Sequence, residues 1–334
     1  MVKRILFWLG VVCAVAGVAL IGVAIYVART WDRVYDGPLP EVRISTDPVV
    51  LARGEYLVYG PAHCIECHGS HDALQQLADG VKMPLGGGID FHLGPLGVVY
   101  ARNLTPDPET GIGRYSDGQI ARMMRWGIRP DGRSTIGPMM PFGDMSEDDL
   151  VAIISFLRAQ PPVRNAVPSN EWTAMGKVVK SLVGVFKPRA AINPPAVAPA
   201  QAATKERGEY LARYVANCAG CHTPRDQTTF AATGPEFSGG MEMEPIAAAG
   251  VDPAIWFRTP NLTPMKGSAL VKFPDRETFI ARFQKGGRHH DGSPMPWEAF
   301  ARMSSEDIAA LYEYLHSLPA IEGPSGEPTF RKAS

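Results

Sequence analysis

The chain has 334 residues, 45% of them hydrophobic and 20% charged, and a formal net charge of −1. That length accommodates two domains of ordinary size, and the balanced charge leaves out the basic field expected of a nucleic-acid partner. Four of the five cysteines fall in two tight clusters, a distribution unlike that of a disulfide framework.

Residues 5–28, "ILFWLGVVCAVAGVALIGVAIYVA", run without a charge. As a helix rising about 1.5 Å per residue the run spans about 36 Å, enough for a hydrocarbon core of about 30 Å with some tilt. A cleaved signal peptide would carry a shorter apolar stretch and a small residue three before the cut, where this chain has Tyr26. Valine precedes Cys13 where a lipoprotein site needs a small residue. Residues 1–35 therefore read as an uncleaved single-pass anchor, with the membrane as partner of residues 5–28. Lys3 and Arg4 on one flank are matched by Arg29 and Arg33 on the other, so charge alone leaves its orientation open.

Beyond the anchor, "DPVVLARGEYLVYG" has an Asp47 cap and Pro48 at the first helical position, which predicts a short helix. It leads into "HCIECH", with Cys64, Cys67 and His68. A stretch rich in Gly, Pro and Asp follows as far as "NLTP" at Asn103, and reads as loop with few strands. "SDGQIARMMRWG" predicts a capped helix ending at glycine, and "MMPF" places Met139 and Met140 on a loop. "MSEDDLVAIISFLRAQPP" predicts a closing helix from Ser146, with Asp149 three residues on in capping-box spacing. Next, "EWTAMGKVVKSLVGVF" sets Trp172, Met175, Val179, Leu182 and Phe186 at helical spacing, an amphipathic helix packed on its own domain or facing an interface. The Pro/Ala-rich residues 186–204 predict an extended, stiff connector.

The second half repeats the first. "RGEYL" recurs 154 residues on at Arg207, Cys64 recurs 154 on as Cys218, "NLTP" 158 on at Asn261, and "MPF" 155 on as "MPW" at Met295. "MSSEDIAALYEYLHSLPA" repeats the closing helix, from Ser304 with Asp307. A duplicated domain is expected, with residues 36–165 and 204–334 as the copies and 166–203 between them.

Each copy carries C-x-x-C-H. Zinc would want a second cysteine pair some 15 to 20 residues away, and a redox disulfide a βαβ context. A histidine directly after the second cysteine favours covalent haem, with both sulfurs on one porphyrin and the imidazole beneath the iron. Two haems are expected, attached through Cys64, Cys67, Cys218 and Cys221, with His68 and His222 on the irons. For the opposite face, Met140 and Met295 combine alignment between copies, a loop before a capped helix and a stiffening proline; Met145 and Met303 read as core. His63 and His71 lie too near the motif, while His92, His289 and His290 read as loop histidines. Asn103 and Asn261 suit either a bond to the cofactor or an Asx turn.

These motifs, with "NLTPDPETGIGRYSDGQIARMMRWGIRPDGR", resemble class I cytochrome c domains and the cytochrome subunits of membrane-bound periplasmic dehydrogenases, over roughly residues 47–160 and 204–320. The resemblance implies a mainly α protein, an N-terminal transmembrane helix followed by two tandem cytochrome c-like domains. It implies thioethers at the four cysteines, proximal His68 and His222, and distal Met140 and Met295. Such subunits usually carry three haems, and this chain has two motifs. Haem attachment outside the cytoplasmic membrane places both domains in the bacterial periplasm with Lys3 and Arg4 inside. The expected function is electron transfer between a periplasmic dehydrogenase and quinone or a terminal oxidase, a carrier rather than an enzyme; a dihaem peroxidase or thiosulfate-oxidising cytochrome is the alternative.

Overall fold

The computed structural model describes residues 1–70, 72–190, 192–246, 250–324 and 326–332. The charge-free run forms α1 (Val2–Thr30), long and apolar enough to cross a membrane, and its most apolar window is unburied. Asp47 accepts from the Val49 amide at 2.8 Å and starts α2 (Pro48–Tyr59), after which come α3 (Ile65–His68) and α4 (Ala73–Ala78). Strands β1 (Asp90–His92) and β2 (Gly97–Tyr100) pair antiparallel, with Phe91 opposite Val99. Ser116 and Gln119 close a capping box on α5 (Asp117–Trp126), which ends on left-handed Gly127. Then come α6 (Glu147–Ala159), β3 (Glu171–Trp172), which pairs with β2, and α7 (Ala174–Leu182).

The second half follows a similar order, without counterparts to α4 and α7 among its described helices. Thr204 caps α8 (Lys205–Tyr210), which continues as a π turn over Leu211–Val215, and α9 (Cys218–Cys221) follows. Strands β4 (Glu242–Met243) and β5 (Ile255–Arg258) pair antiparallel. Helices α10 (Arg276–Lys285), α11 (Trp297–Phe300) and α12 (Ser305–Ser317) come next, and β6 (Thr329–Arg331) pairs with β5. The stretch between motif and "NLTP", read as loop with few strands, holds two short strands in each half, and the third strand of each small sheet comes from beyond the closing helix, where none was expected. Trp172 also departs from expectation. It lies in β3, because the Thr173 hydroxyl accepts from the Gly176 amide and starts the helix after it.

Helix α2 packs on α6 and α8 on α12, each pair crossing at a glycine. A Cβ on Gly54 would sit 2.0 Å from the Ala152 carbonyl oxygen, and one on Gly208 would sit 1.9 Å from that of Ala310. Only a hydrogen fits at either crossing, which explains why glycine follows arginine in both copies of "RGEYL".

Asp149 and Asp307 correct another expectation. Ser146 and Ser304 do cap their helices, but neither aspartate reaches back to close a box. Instead Asp149 takes both arms of Arg53, each at 2.8 Å, and Asp307 takes Arg207 at 2.8 and 2.9 Å. Each aspartate also receives a tyrosine hydroxyl from the other half: Tyr56 donates to Asp307 at 2.6 Å and Tyr210 to Asp149 at 2.8 Å. The same hydroxyls accept the Ser304 and Ser146 amides, both at 3.2 Å. This reciprocal exchange joins the halves, whose buried apolar side chains form one continuous core. The connector crosses the start of α6 in extended form, tied there by Glu147 N–H to the Pro195 carbonyl at 2.9 Å and Ala198 N–H to Asp148 at 3.0 Å.

Candidate functional site

Both cysteine motifs begin on a strained residue. His63 has φ 40° and Asn217 φ 54°, and each stands directly before its first cysteine. This left-handed residue turns the chain out of α2 or the π turn and into the short helix that carries the cysteines. Asparagine tolerates the region well. His63 is held by its Nδ1 at 3.1 Å from the Pro61 carbonyl and by the Phe300 ring, centroids 5.6 Å apart.

At the end of each motif the imidazole is oriented identically. His68 Nδ1 lies 2.7 Å from the carbonyl oxygen of Arg102, and His222 Nδ1 lies 2.8 Å from that of Pro260. A carbonyl only accepts, so Nδ1 carries the hydrogen and Nε2 carries the lone pair that binds a metal. Burial holds both rings below the usual histidine range, so they are neutral at pH 7. The accepting carbonyl belongs in each case to the residue before "NLTP", a role that side-chain patterns do not announce. In turn, the His68 carbonyl accepts from Gly87 N–H and that of His222 from Gly239 N–H, both at 2.8 Å.

Cys64, Cys67, Cys218 and Cys221 are free, partly buried thiols. Burial pushes Cys64, Cys67 and Cys218 up to about 12, and raises Cys221 as well. Among the described residues no three His, Cys, Asp or Glu side chains converge as a metal-binding group, so the motifs do not assemble a zinc-type donor set. Two thiols beside one imidazole with Nε2 free is the donor chemistry of covalent haem.

Met140 and Met295 are partly buried, each packed against the core, whereas Met145 and Met303 are fully buried within it. Arg125 holds the chain beyond Met140 by donating to the carbonyls of Gly143, at 3.1 Å, and Met145. Arg288 does so around Met295, donating to the carbonyls of Ser293 and Met295, the latter at 2.7 Å. Asn103 and Asn261 are both Asx turns, accepting from Thr105 and Thr263 N–H at 2.9 and 2.7 Å. Their amides donate to Val163 and Ile321 carbonyls at 2.7 and 2.8 Å, tying "NLTP" to the chain beyond the closing helix.

Among the other histidines, His92 is exposed beside Asp90, and His289 Nε2 accepts from Arg282 at 2.9 Å while its ring meets Trp297. His290 is exposed, and His71 lies outside the described residues. A feature that the sequence reading passed over is Glu66, between the first pair of cysteines. Burial pushes it up to about 7 against the pull of Arg288, and its Oε1 has no hydrogen-bond partner among the described residues.

Residues 206–319 match the family model of cytochrome c. The chain contains a cytochrome c domain. Over 85% of its length it is 30% identical to the cytochrome c subunit of a quinone alcohol dehydrogenase from Gluconobacter oxydans, covering 57% of that protein. It is 27% identical to a fructose dehydrogenase cytochrome subunit from Gluconobacter japonicus over 81% of this chain and 53% of that protein. A diheme cytochrome c-type protein from Cereibacter sphaeroides is 26% identical over 84% of this chain and 92% of its own length. The chain thus spans little more than half of the first two relatives and nearly all of the third. The cytochrome c domain bears covalent haem, which the buried thiols and oriented His222 fit.

Proposed function

We propose that the chain is a dihaem c-type cytochrome that carries electrons between a periplasmic dehydrogenase and the membrane respiratory chain, at quinone or a terminal oxidase. The observation that carries this reading is the duplicated imidazole: two histidines, each after C-x-x-C, each with Nδ1 spent on a backbone carbonyl and Nε2 turned free. Residues 36–165 and 204–334 are then two cytochrome c domains, and residues 166–203 join them. Relatives named as cytochrome subunits of alcohol and fructose dehydrogenases support a dehydrogenase as electron donor. Helix α1 would span the membrane, with both domains on the periplasmic side.

When bound, each haem supplies a one-electron couple at its iron. Cys64 and Cys67, and Cys218 and Cys221, would hold the two porphyrins through thioethers, and His68, His222, Met140 and Met295 would supply the iron ligands. A carbonyl on Nδ1 fixes each ring and makes Nε2 the more basic ligand. Met140 and Met295, both packed against the core, would supply one thioether to each haem, a ligand that favours the reduced state. So ligated, neither iron would offer a vacant site for inner-sphere chemistry, which is the property of a carrier.

Haem content and carbon monoxide binding test this. The purified membrane protein should carry two covalent haems by mass and haemochrome assay, and the reduced form should bind carbon monoxide poorly. Met140→Ala and Met295→Ala should each open one iron and lower one potential. A single haem per chain, or rapid carbon monoxide binding by the unaltered protein, would overturn the closed dihaem carrier.

A further inference from the structure

The guanidinium of Arg288 has all five of its N–H donors engaged. Nε donates to Glu298 Oε1 at 3.1 Å, and Nη2 to Glu298 Oε2 at 2.6 Å. Nη1 donates to the carbonyls of Ser293 and Met295. The remaining Nη2 donor reaches Glu66 Oε2, at 3.3 Å, in the first half. The side chains of Arg288, Glu66 and Glu298 are only 8%, 11% and 15% exposed. A saturated, buried guanidinium that binds the carbonyl of Met295 itself leaves that loop little freedom.

Glu66 stands between Cys64 and Cys67. The loop that presents Met295 is therefore pinned to the cysteine motif of the other half. The Phe300 ring on His63, just before Cys64, is a second contact between the same two segments. Among the described residues no reciprocal ion pair joins the Met140 loop to the second cysteine motif. Gly220 occupies the place of Glu66 in the second motif, and the matching Arg129 pairs with Asp131 in its own turn at 3.2 Å.

We infer that Arg288 is the positioning residue for Met295, and that it holds this ligand loop by bracing it against Glu66 in the first cysteine motif. The inference rests on the reading of Met295 as an axial ligand. Its consequence crosses the halves: a change in the first motif alters ligation at the second iron.

The test uses the full membrane protein with both haems attached. Three single variants, Met295→Ala, Arg288→Lys and Glu66→Gln, are compared for carbon monoxide binding, sulfur-to-iron charge-transfer absorption and two-step redox titration. Met295→Ala is the control and should open one of the two irons; if it does not, the axial reading itself fails. Arg288→Lys keeps the charge but loses the fork. It should open the same iron in part, with a matching loss of sulfur absorption and a lower potential for that haem alone. Glu66→Gln preserves shape, so the fold is retained, and should give the same partial opening of the second iron in spite of lying in the first motif. The double variant Glu66→Gln/Arg288→Lys should be no more open than Arg288→Lys. If Met295→Ala opens the iron while Arg288→Lys binds carbon monoxide no better than wild type, Arg288 does not position the ligand. Wild-type ligation in Glu66→Gln would overturn the brace between the halves.

Discussion

The chain beyond Met140 and the chain around Met295 are held by different arginines, and the difference separates two kinds of feature in this molecule. Arg125 belongs to α5 and reaches forward within the first half, to Gly143 and Met145. Arg288 lies in the loop itself and reaches across to Glu66. By contrast, the imidazole-to-carbonyl bond, the left-handed residue before the first cysteine, the glycine at the helix crossing and the tyrosine-to-aspartate exchange occur in both halves with almost the same geometry. Features that orient a histidine or close a helix pair are thus duplicated, and features that bind one half to the other around a methionine are not. A repeated sequence produces a repeated scaffold, including the tyrosine-to-aspartate exchange between the halves, but the chain around each methionine meets a different surface and is free to diverge.

The aspartates offer the largest effect with which to probe this. Arg207 and Asp307 have side chains 1% and 0% exposed, while Arg53 and Asp149 are 23% and 2% exposed. Removing one partner of a buried ion pair costs about 3–5 kcal/mol because a charge is left without compensation. Asp307→Ala should therefore lose about that much stability in denaturant unfolding, and Asp149→Ala measurably less, since water reaches Arg53. Equal losses would mean that solvent access to Arg53 is irrelevant. The tyrosines come next. Burial raises the pKa of Tyr56 and Tyr210, with Asp307 and Asp149 adding to the effect, so both hydroxyls remain donors. Tyr56→Phe and Tyr210→Phe each delete a hydrogen bond to a charged group, worth about 1.5–3 kcal/mol. The two losses should be similar, because the exchange is reciprocal; a loss confined to one variant would show the symmetry to be geometric only.

Much of the scaffold was legible from spacing and caps. Asp47, Ser116, Thr204 and Ser304 stand where helices start, and repeat offsets of 154 to 158 residues set out the two halves in parallel. The small sheets were missed because their strands are two to four residues long and pair across a closing helix, too short for an alternation to register. Asp149 and Asp307 were misread because capping-box spacing is local, whereas their partners lie about 100 residues away. For the candidate site, cysteines and histidines carry their own signature. The carbonyls of Arg102 and Pro260 do not, since a backbone acceptor leaves no trace in side-chain identity. Glu66 was invisible for a further reason: between two cysteines it reads as a spacer until Arg288 arrives from the other half.

The smallest effect concerns where α1 meets the first half, a contact with no counterpart in the second. Asp32, two residues beyond that helix, accepts from Arg133 at 2.6 Å and lies 3.9 Å from Lys180. Its hydrogen bond with Arg133 holds the carboxyl below the usual aspartate range. Lys177 and Lys180 also lie over the Trp31 ring, 4.7 and 5.5 Å from its centroid. A folded-state pKa below the unfolded one stabilises the protein above the unfolded value and loses that contribution as pH falls through the folded value. No change from this group is therefore expected between pH 5 and 8, and a decline is expected only below about pH 4. Both partners are about a third exposed, so the pair is worth about 0–1 kcal/mol. Asp32→Asn should shift unfolding by no more than that at pH 7 and should abolish the part of the acid decline that this group supplies. A loss of several kcal/mol at pH 7 would mean that the base of α1 is braced by more than a surface ion pair, and would make that junction as consequential as the contact between the halves.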